Sequence, residues 1–300
     1  MNKKVSQLYQ VSPDLCMLMN CYVIKTPSDK VIVIDGGGVQ TREETSGYLY
    51  EELKRICGKD IPEIEAWFLS HLHDDHVTEF CKIIEDENKP IVVKNVYFNF
   101  PEYEFFEWVE GGRFTYLYRD VEKSYDKLFG AGAFAKCGGK TAFEGDALEI
   151  DGLKIKVLLV YSKDISPGCI NDTSMIFSIE SEGQKILFLG DAYVAQGNQL
   201  LEKYGNELQS DIVQMSHHGQ NGVTEEVYKA IMPKLCLWPA PDWVFDNWNG
   251  NLNTFETRKW MENMGAKYHL ITGRYKTQNV DFPVDFEKLS PEDISNLKNN

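Results

Sequence analysis

Ser70-His71-Leu72-His73-Asp74-Asp75-His76 sets three imidazoles and two carboxylates side by side. No packing requirement calls for that density, and neutral imidazole with ionised carboxylate is the ligand set that suits zinc, iron or manganese. The order His-x-His-x-Asp-His is tighter than the His-Glu-x-x-His spacing by which one helix face presents two ligands. The stretch is therefore expected on a loop. Immediately before it, Ala66-Trp67-Phe68-Leu69 is a short apolar run of the kind that forms a buried strand. The ligands would then emerge at that strand's C-terminal end.

A second histidine cluster, Ser216-His217-His218-Gly219, lies far along the chain, with Gly190-Asp191 between the two at the end of another apolar run, Ile186 to Leu189. A pair of divalent cations asks for about seven or eight donors, more than the first cluster offers alone. The segments around the clusters repeat. Cys21 to Ile24 and Val31 to Ile34, joined by a turn-rich link, read as a β-hairpin running into Asp35-Gly36-Gly37-Gly38. Met175 to Ile179 and Ile186 to Leu189 repeat that hairpin and end in Gly190-Asp191. A helix is expected after each, over Glu43 to Cys57 and Gln199 to Tyr204, and then an apolar strand, Ala66 to Leu69 or Asp211 to Met215, that delivers the histidines. Further helices are expected over Val77 to Glu87 and Thr224 to Ile231, with Thr78 or Thr224 as caps. Two such halves, sheets face to face and helices outside, make a four-layer α/β sandwich with ligands converging at one edge.

The composition agrees with a catalytic or ligand-binding domain and excludes several other classes. A chain of 300 residues, 43% hydrophobic, can bury a substantial core, and one domain spanning 1–300 is expected. Lys and Arg total 31 against 46 Asp and Glu, a formal charge of -15, which repels long nucleic acid and favours a small-molecule substrate. No stretch reaches the roughly 18 apolar residues of a membrane span, and the first residues lack a signal-type apolar region, so a cytoplasmic location without a membrane partner is expected. Seven scattered cysteines with no Cys-x-x-Cys point to reduced thiols. The oligomeric state is not legible.

The set of motifs, in this order, resembles the metallo-β-lactamase superfamily, and within it the hydrolases related to the ComEC competence-protein domain. The resemblance implies the αββα sandwich of that family. It implies two divalent metal ions, Zn2+ first and Mn2+ or Fe2+ as alternatives. His71 and His73 would hold one metal, Asp75 and His76 the other, and Asp191 would bridge. One of His217 and His218 would complete the second site, the other donating a proton or holding substrate. Catalytic roles accordingly fall to Asp75, His217 and His218. Where many members carry a third histidine for the first metal, this chain has Asn171-Asp172-Thr173-Ser174. Asn171 or Asp172 then serves as a weak or water-mediated ligand, with Ser174 as support. The usual Gly-Gly after the first motif is replaced by Thr78-Glu79.

The chemistry expected is hydrolysis by a metal-bound hydroxide, most readily of a phosphodiester or related small phosphoester. Acyl hydrolysis of a lactone, thioester or β-lactam uses the same site, and a non-catalytic metal-binding domain is a third reading. Asp35 is either an acceptor for a ligand imidazole or a turn residue, Asp74 is expected beside rather than in the ligand set, and His269, in an apolar strand context, is expected to be structural. Two aromatic-rich segments stand out, an insertion around 97–143 and a loop containing Trp243 and Trp248. Those two tryptophans are candidates to line a substrate pocket and bind a cationic head group.

Overall fold

The computed structural model describes residues 4–38, 47–103, 105, 123–162, 170–292 and 294. The strands of the first half are β1 (Ser6–Gln10), β2 (Tyr22–Lys25), β3 (Val31–Ile34), β4 (Glu63–Ile64), β5 (Ala66–Leu69), β6 (Val92–Val93), β7 (Val96–Phe98) and β8 (Lys140–Thr141). The second half contributes β9 (Ala147–Ile150), β10 (Leu153–Leu159), β11 (Ile176–Ser181), β12 (Gln184–Phe188), β13 (Ile212–Gln214), β14 (Leu235–Trp238), β15 (Tyr268–Ile271) and β16 (Gln278–Phe282). Among the described residues they form two seven-stranded sheets, ordered β16-β1-β2-β3-β5-β7-β8 and β15-β14-β13-β12-β11-β10-β9, with β4 and β6 paired separately.

The two sheets are built alike. In each, an antiparallel hairpin, β2-β3 or β11-β12, is followed across a helical connection by a parallel strand, β5 or β13. These parallel strands, like β3 and β14, are buried along their whole length. They are covered on both faces, which is why they read as continuous apolar runs rather than alternating ones.

Three apolar layers result. Side chains from the facing sides of both sheets, among them Ile24, Ile32, Phe68, Phe177, Phe188 and Leu237, make the central one. Outside the first sheet, α1 (Tyr48–Cys57), α2 (Asp74–Glu85) and α3 (Ala133–Cys137) pack Leu53, Phe80 and Ala133 against Val33 and Trp67. Outside the second, α4 (Val194–Tyr204), α5 (Glu225–Ile231), α6 (Asp242–Phe245) and α7 (Thr254–Met264) cover Val213, Cys236 and Trp238. This is the expected four-layer αββα sandwich.

Several boundaries differ from the expectation. The helix expected from Val77 begins at Asp74, inside the histidine motif, because paired aspartates are favourable in a first helical turn, where free N–H groups and the helix dipole welcome negative charge. Thr78 is thus interior to the helix, not its cap. The helix expected at Gln199 starts five residues earlier, at Val194. The aromatic stretch is no simple insertion, since Val96–Phe98 and Lys140–Thr141 are strands of the first sheet. Several of its described aromatics pack on others: Tyr97 stacks on Phe68 at 5.0 Å, and Phe98 on Phe134 at 4.6 Å, while Phe143 is exposed. Phe106, Trp108, Phe114, Tyr116, Tyr118 and Cys169 lie outside the described residues, as do the start of the helix expected from Glu43 and the last residues of the C-terminal tail.

Candidate metal centre

Strand β5 ends at Leu69, and the chain then turns through Ser70, His71 and Leu72 to His73, which stands at the N-cap of α2 in extended conformation. His71 and His73 therefore precede the helix, while Asp75 and His76 occupy its first turn. The expectation of a pure loop is corrected on this point: a helix start can hold the motif because only part of it is helical.

The opposite sheet supplies the rest. Beyond β12 the chain passes Gly190 at φ +55°, and a Cβ there would come within 2.9 Å of the Ser174 side chain and 3.2 Å of Ser70. Glycine is what lets the two sheet ends close on each other. The Met175 N–H donates to the Ser70 carbonyl at 2.9 Å, and the Asp191 N–H to Ser174 Oγ at 3.0 Å, so the loop before β11 fastens both halves of the site. After β13, Ser216–Gly219 forms a short 3-10 turn in which His217 and His218 both take left-handed backbone angles.

Two donor groups meet at Asp191. Asp75, His76, Asp191 and His218 have ligand atoms within 4.8 Å of one another, and so do His71, His73 and Asp191. His76 Nε2 lies 3.3 Å from Asp191 Oδ1, and His218 Nε2 lies 2.9 Å from Asp75 Oδ2 and 3.4 Å from Asp191 Oδ2. On the other side His71 Nε2 is 3.9 Å from Asp191 Oδ2 and 3.1 Å from His73 Nδ1. Of the two late histidines it is His218 that joins the donors. His217 stands outside both groups, its ring edge-on to Tyr193 at 4.8 Å and its Nδ1 buried without a hydrogen-bond partner.

The imidazoles are aimed by the groups behind them. Asp35, wholly buried, accepts from His76 Nδ1 at 2.8 Å, and is itself held by the Ser70 N–H at 2.7 Å, Ser70 Oγ at 2.8 Å and Asn20 Nδ2 at 2.6 Å. Of its two sequence readings, the imidazole acceptor is the one observed. His218 Nδ1 donates to the Pro239 carbonyl at 2.8 Å. Such acceptors fix the ring tautomer and turn Nε2 toward the site. Ser70 and Asn20 were not among the sequence candidates. Ser70 was signalled by a serine heading both histidine motifs, Ser70-His71 and Ser216-His217, whereas nothing in the sequence ties Asn20 to Asp35.

Electrostatics point the same way. Burial by itself would raise the Asp75 and Asp191 carboxyls, but the neighbouring His76 and His218 hold both below the usual carboxylate range. Burial pushes His218 down, yet Asp191 and Asp75 bring it up to about 10, and His76 is likewise raised against burial by Asp191, Asp75 and Asp35. His71 and His73 are lowered by burial, so they are neutral. The buried carboxylates demand positive charge, and His76 Nε2 and Asp191 Oδ1 are buried with no hydrogen-bond partner. A divalent cation satisfies both conditions at once, and the donor set fits a pair of them.

Other candidates take different places. Asp172 Oδ1 accepts from the N–H groups of Tyr193 and Gln196 at 2.9 and 3.1 Å, anchoring the start of α4, which engages it away from ligation. Asn171 is buried with Oδ1 unpartnered. Asp74 Oδ1 accepts from the Asp75 N–H. His269 is structural, accepting from Trp238 Nε1 at 3.1 Å and facing the Ala266 carbonyl at 3.3 Å. The tryptophans are not among the metal donors' partners: Trp243 Nε1 donates to the Cys16 carbonyl, and Trp248 lines a cavity of about 680 Å³ with Asp242, Asp246 and Arg274 but none of the metal donors. Of the thiols, Cys21, Cys57, Cys81 and Cys236 are buried.

Comparison with known proteins agrees with this geometry. The family model described as the metallo-beta-lactamase superfamily matches residues 17–158. ComE operon protein 3 of Bacillus subtilis (strain 168) is 22% identical over 187 residues, 62% of this chain but only 21% of that protein's length. In structure, the chain is similar to the metallo-beta-lactamase fold protein YhfI from Bacillus subtilis, with a TM-score of 0.54, 12% identity, and 91% and 99% of the two chains covered. It is also similar to CmlA, a diiron beta-hydroxylase from Streptomyces venezuelae, with a TM-score of 0.54, 10% identity, and 94% and 55% covered. The family match contains the motif from His71 to His76, and the fold brings Asp191 and His218 to meet it, so the chain is similar to the metallo-β-lactamase superfamily in its first motif and in its fold.

Proposed function

We propose that the protein is a metal-dependent hydrolase acting on a small phosphodiester or related phosphoester. The observation that carries the reading is Asp191, the one carboxylate common to both donor groups. A pair of divalent cations held there would acidify water toward neutral pH and neutralise charge on attacking and leaving oxygens. Asp75, His76, Asp191 and His218 would hold one cation, and His71, His73 and Asp191 the other. Asp75 and Asp191 offset two of the four positive charges, which leaves a centre that attracts an anion such as a phosphodiester. The acidic exterior, at -15 for the whole chain, opposes a long polyanion but not a small one.

The chain's own groups do the rest. Asp35 and the Pro239 carbonyl keep two imidazoles oriented. His217, outside the donor set and with a buried, unpartnered Nδ1, would hydrogen-bond a substrate or leaving oxygen. Ser174 is no nucleophile here, because its hydroxyl oxygen is engaged by the Asp191 N–H.

The test is turnover by the purified full chain, loaded with zinc or manganese, of a bis-aryl phosphodiester beside a lactone and a cephalosporin. Cleavage of the phosphodiester that disappears in Asp191→Asn supports the proposal. Cleavage of the acyl substrates alone overturns it in favour of acyl hydrolysis, and no turnover with both cations bound overturns it in favour of a binding role.

A further inference from the structure

The two donor groups are unequal. Asp75, His76, Asp191 and His218 give one position four buried ligands, two of them carboxylates. The other position has His71 and His73, and shares Asp191 as its only charge among the clustered donors. Their supports are unequal too. Both imidazoles of the four-donor group have a carbonyl or carboxylate acceptor on Nδ1: Asp35 for His76 and Pro239 for His218, each at 2.8 Å. His73 turns Nδ1 toward His71, and its Nε2 is buried with no hydrogen-bond partner. Among the described residues, the partner recorded for His71 Nδ1 is the Ser70 hydroxyl, at 3.2 Å. Ring orientation is therefore built into one position and left to the cation in the other.

We infer that the cations load in a fixed order: the Asp75/His76/Asp191/His218 position fills first and tightly, and the His71/His73 position fills second and exchanges. The inference rests on the two-cation reading of the site. Four donors close a tetrahedral shell, whereas three leave one place for water or a substrate oxygen. The weakly held position is thus the one open to substrate. Partners behind the ligands typically change metal affinity by about 10–100-fold, so with the extra carboxylate the two steps should be separated by at least about tenfold. Chelation should then yield a long-lived species with one cation per chain.

The experiment is a titration of the metal-stripped full chain with Zn2+, and separately Mn2+, against a chromophoric chelator, with metal content measured after partial chelation. Wild type is expected to bind in two resolved steps. His73→Ala should keep the tight step and lose the weak one, and Asp75→Asn should lose the tight step. Because Asp75 begins a helix, its fold is checked by circular dichroism, and His218→Ala serves as the second variant. Two steps of equal affinity, or loss of the tight step in His73→Ala, overturn the loading order while leaving hydrolysis intact. Binding of no cation at all would instead remove the two-cation reading itself.

Discussion

Asp35 illustrates what a single residue contributes without touching the reacting atoms. Its carboxylate holds His76 by Nδ1 and is held in turn by Ser70 and Asn20, so Asp35→Asn should leave the chain folded but lower metal affinity by about 10–100-fold, measured by chelator competition. The two late histidines separate by the same logic. His218→Ala should lose a cation, whereas His217→Ala should keep full metal content and lose turnover, on the order of 10²-fold if its hydrogen bond is made to the transition state. Metal analysis beside kinetics distinguishes them, and equal metal loss in both variants would contradict the assignment. His269 gives a pH prediction away from the metal. Burial pushes this imidazole down to about 4, and Trp238 donates to its Nδ1, so the folded chain keeps it neutral. The unfolded chain takes up a proton near pH 6.5, so His269's contribution is complete above that pH and falls away as pH drops toward 4, by up to about 3 kcal/mol. In denaturant unfolding of the metal-free protein between pH 7 and 4, His269→Gln should flatten this slope, and an unchanged slope would refute the reading.

At the scale of elements, the site is a contact between a glycine loop, a helix start and a left-handed turn. Gly37 lies against the first turn of α2, and a Cβ there would come within 2.2 Å of the His76 nitrogen and 2.3 Å of the Asp75 carbonyl carbon, both backbone atoms that cannot swing away. Gly36 exchanges hydrogen bonds with the same helix, its N–H to the His76 carbonyl and its carbonyl to the Phe80 N–H. Gly37→Ala should therefore cost about 1–3 kcal/mol and, by pushing the helix start away, weaken the Asp75/His76 position as well. Thermal melts with and without zinc would show both effects, and a variant as stable and as tightly loaded as wild type would contradict the packing. The hairpins, the fully buried strands and the histidine-bearing strand ends were legible in sequence because apolar runs and turn residues are local signals. The start of α2 was not, since three histidines within six residues mask the aspartates that open the helix. Nor was the choice of His218 over His217, which is decided by two consecutive left-handed residues and a carbonyl, Pro239, that lies on another strand's end. The aromatic stretch misled for a similar reason: composition marks aromatics, but only pairing shows that Tyr97 and Phe98 belong to a strand inside the sheet.

For the molecule as a whole, the candidate metal centre lies at the seam between two similarly built sheets. His71, His73, Asp75 and His76 come from the first, Asp191 and His218 from the second, and without cations the seam holds buried polar atoms with no partner. Cation binding should stabilise the whole chain, by about 2.7 kcal/mol at a hundredfold excess over Kd, and chelation should lower Tm by several degrees. In Asp191→Asn that shift should largely vanish, because both positions lose their shared ligand. The most direct measurement is anomalous diffraction at the metal edge from crystals of the full chain grown with zinc or manganese. Two peaks are predicted, each about 2.0–2.2 Å from an oxygen of Asp191, one also coordinated by Asp75, His76 and His218 and the other by His71 and His73. Peaks that leave Asp191 untouched, or a cation bound by His217 in place of His218, would contradict the account.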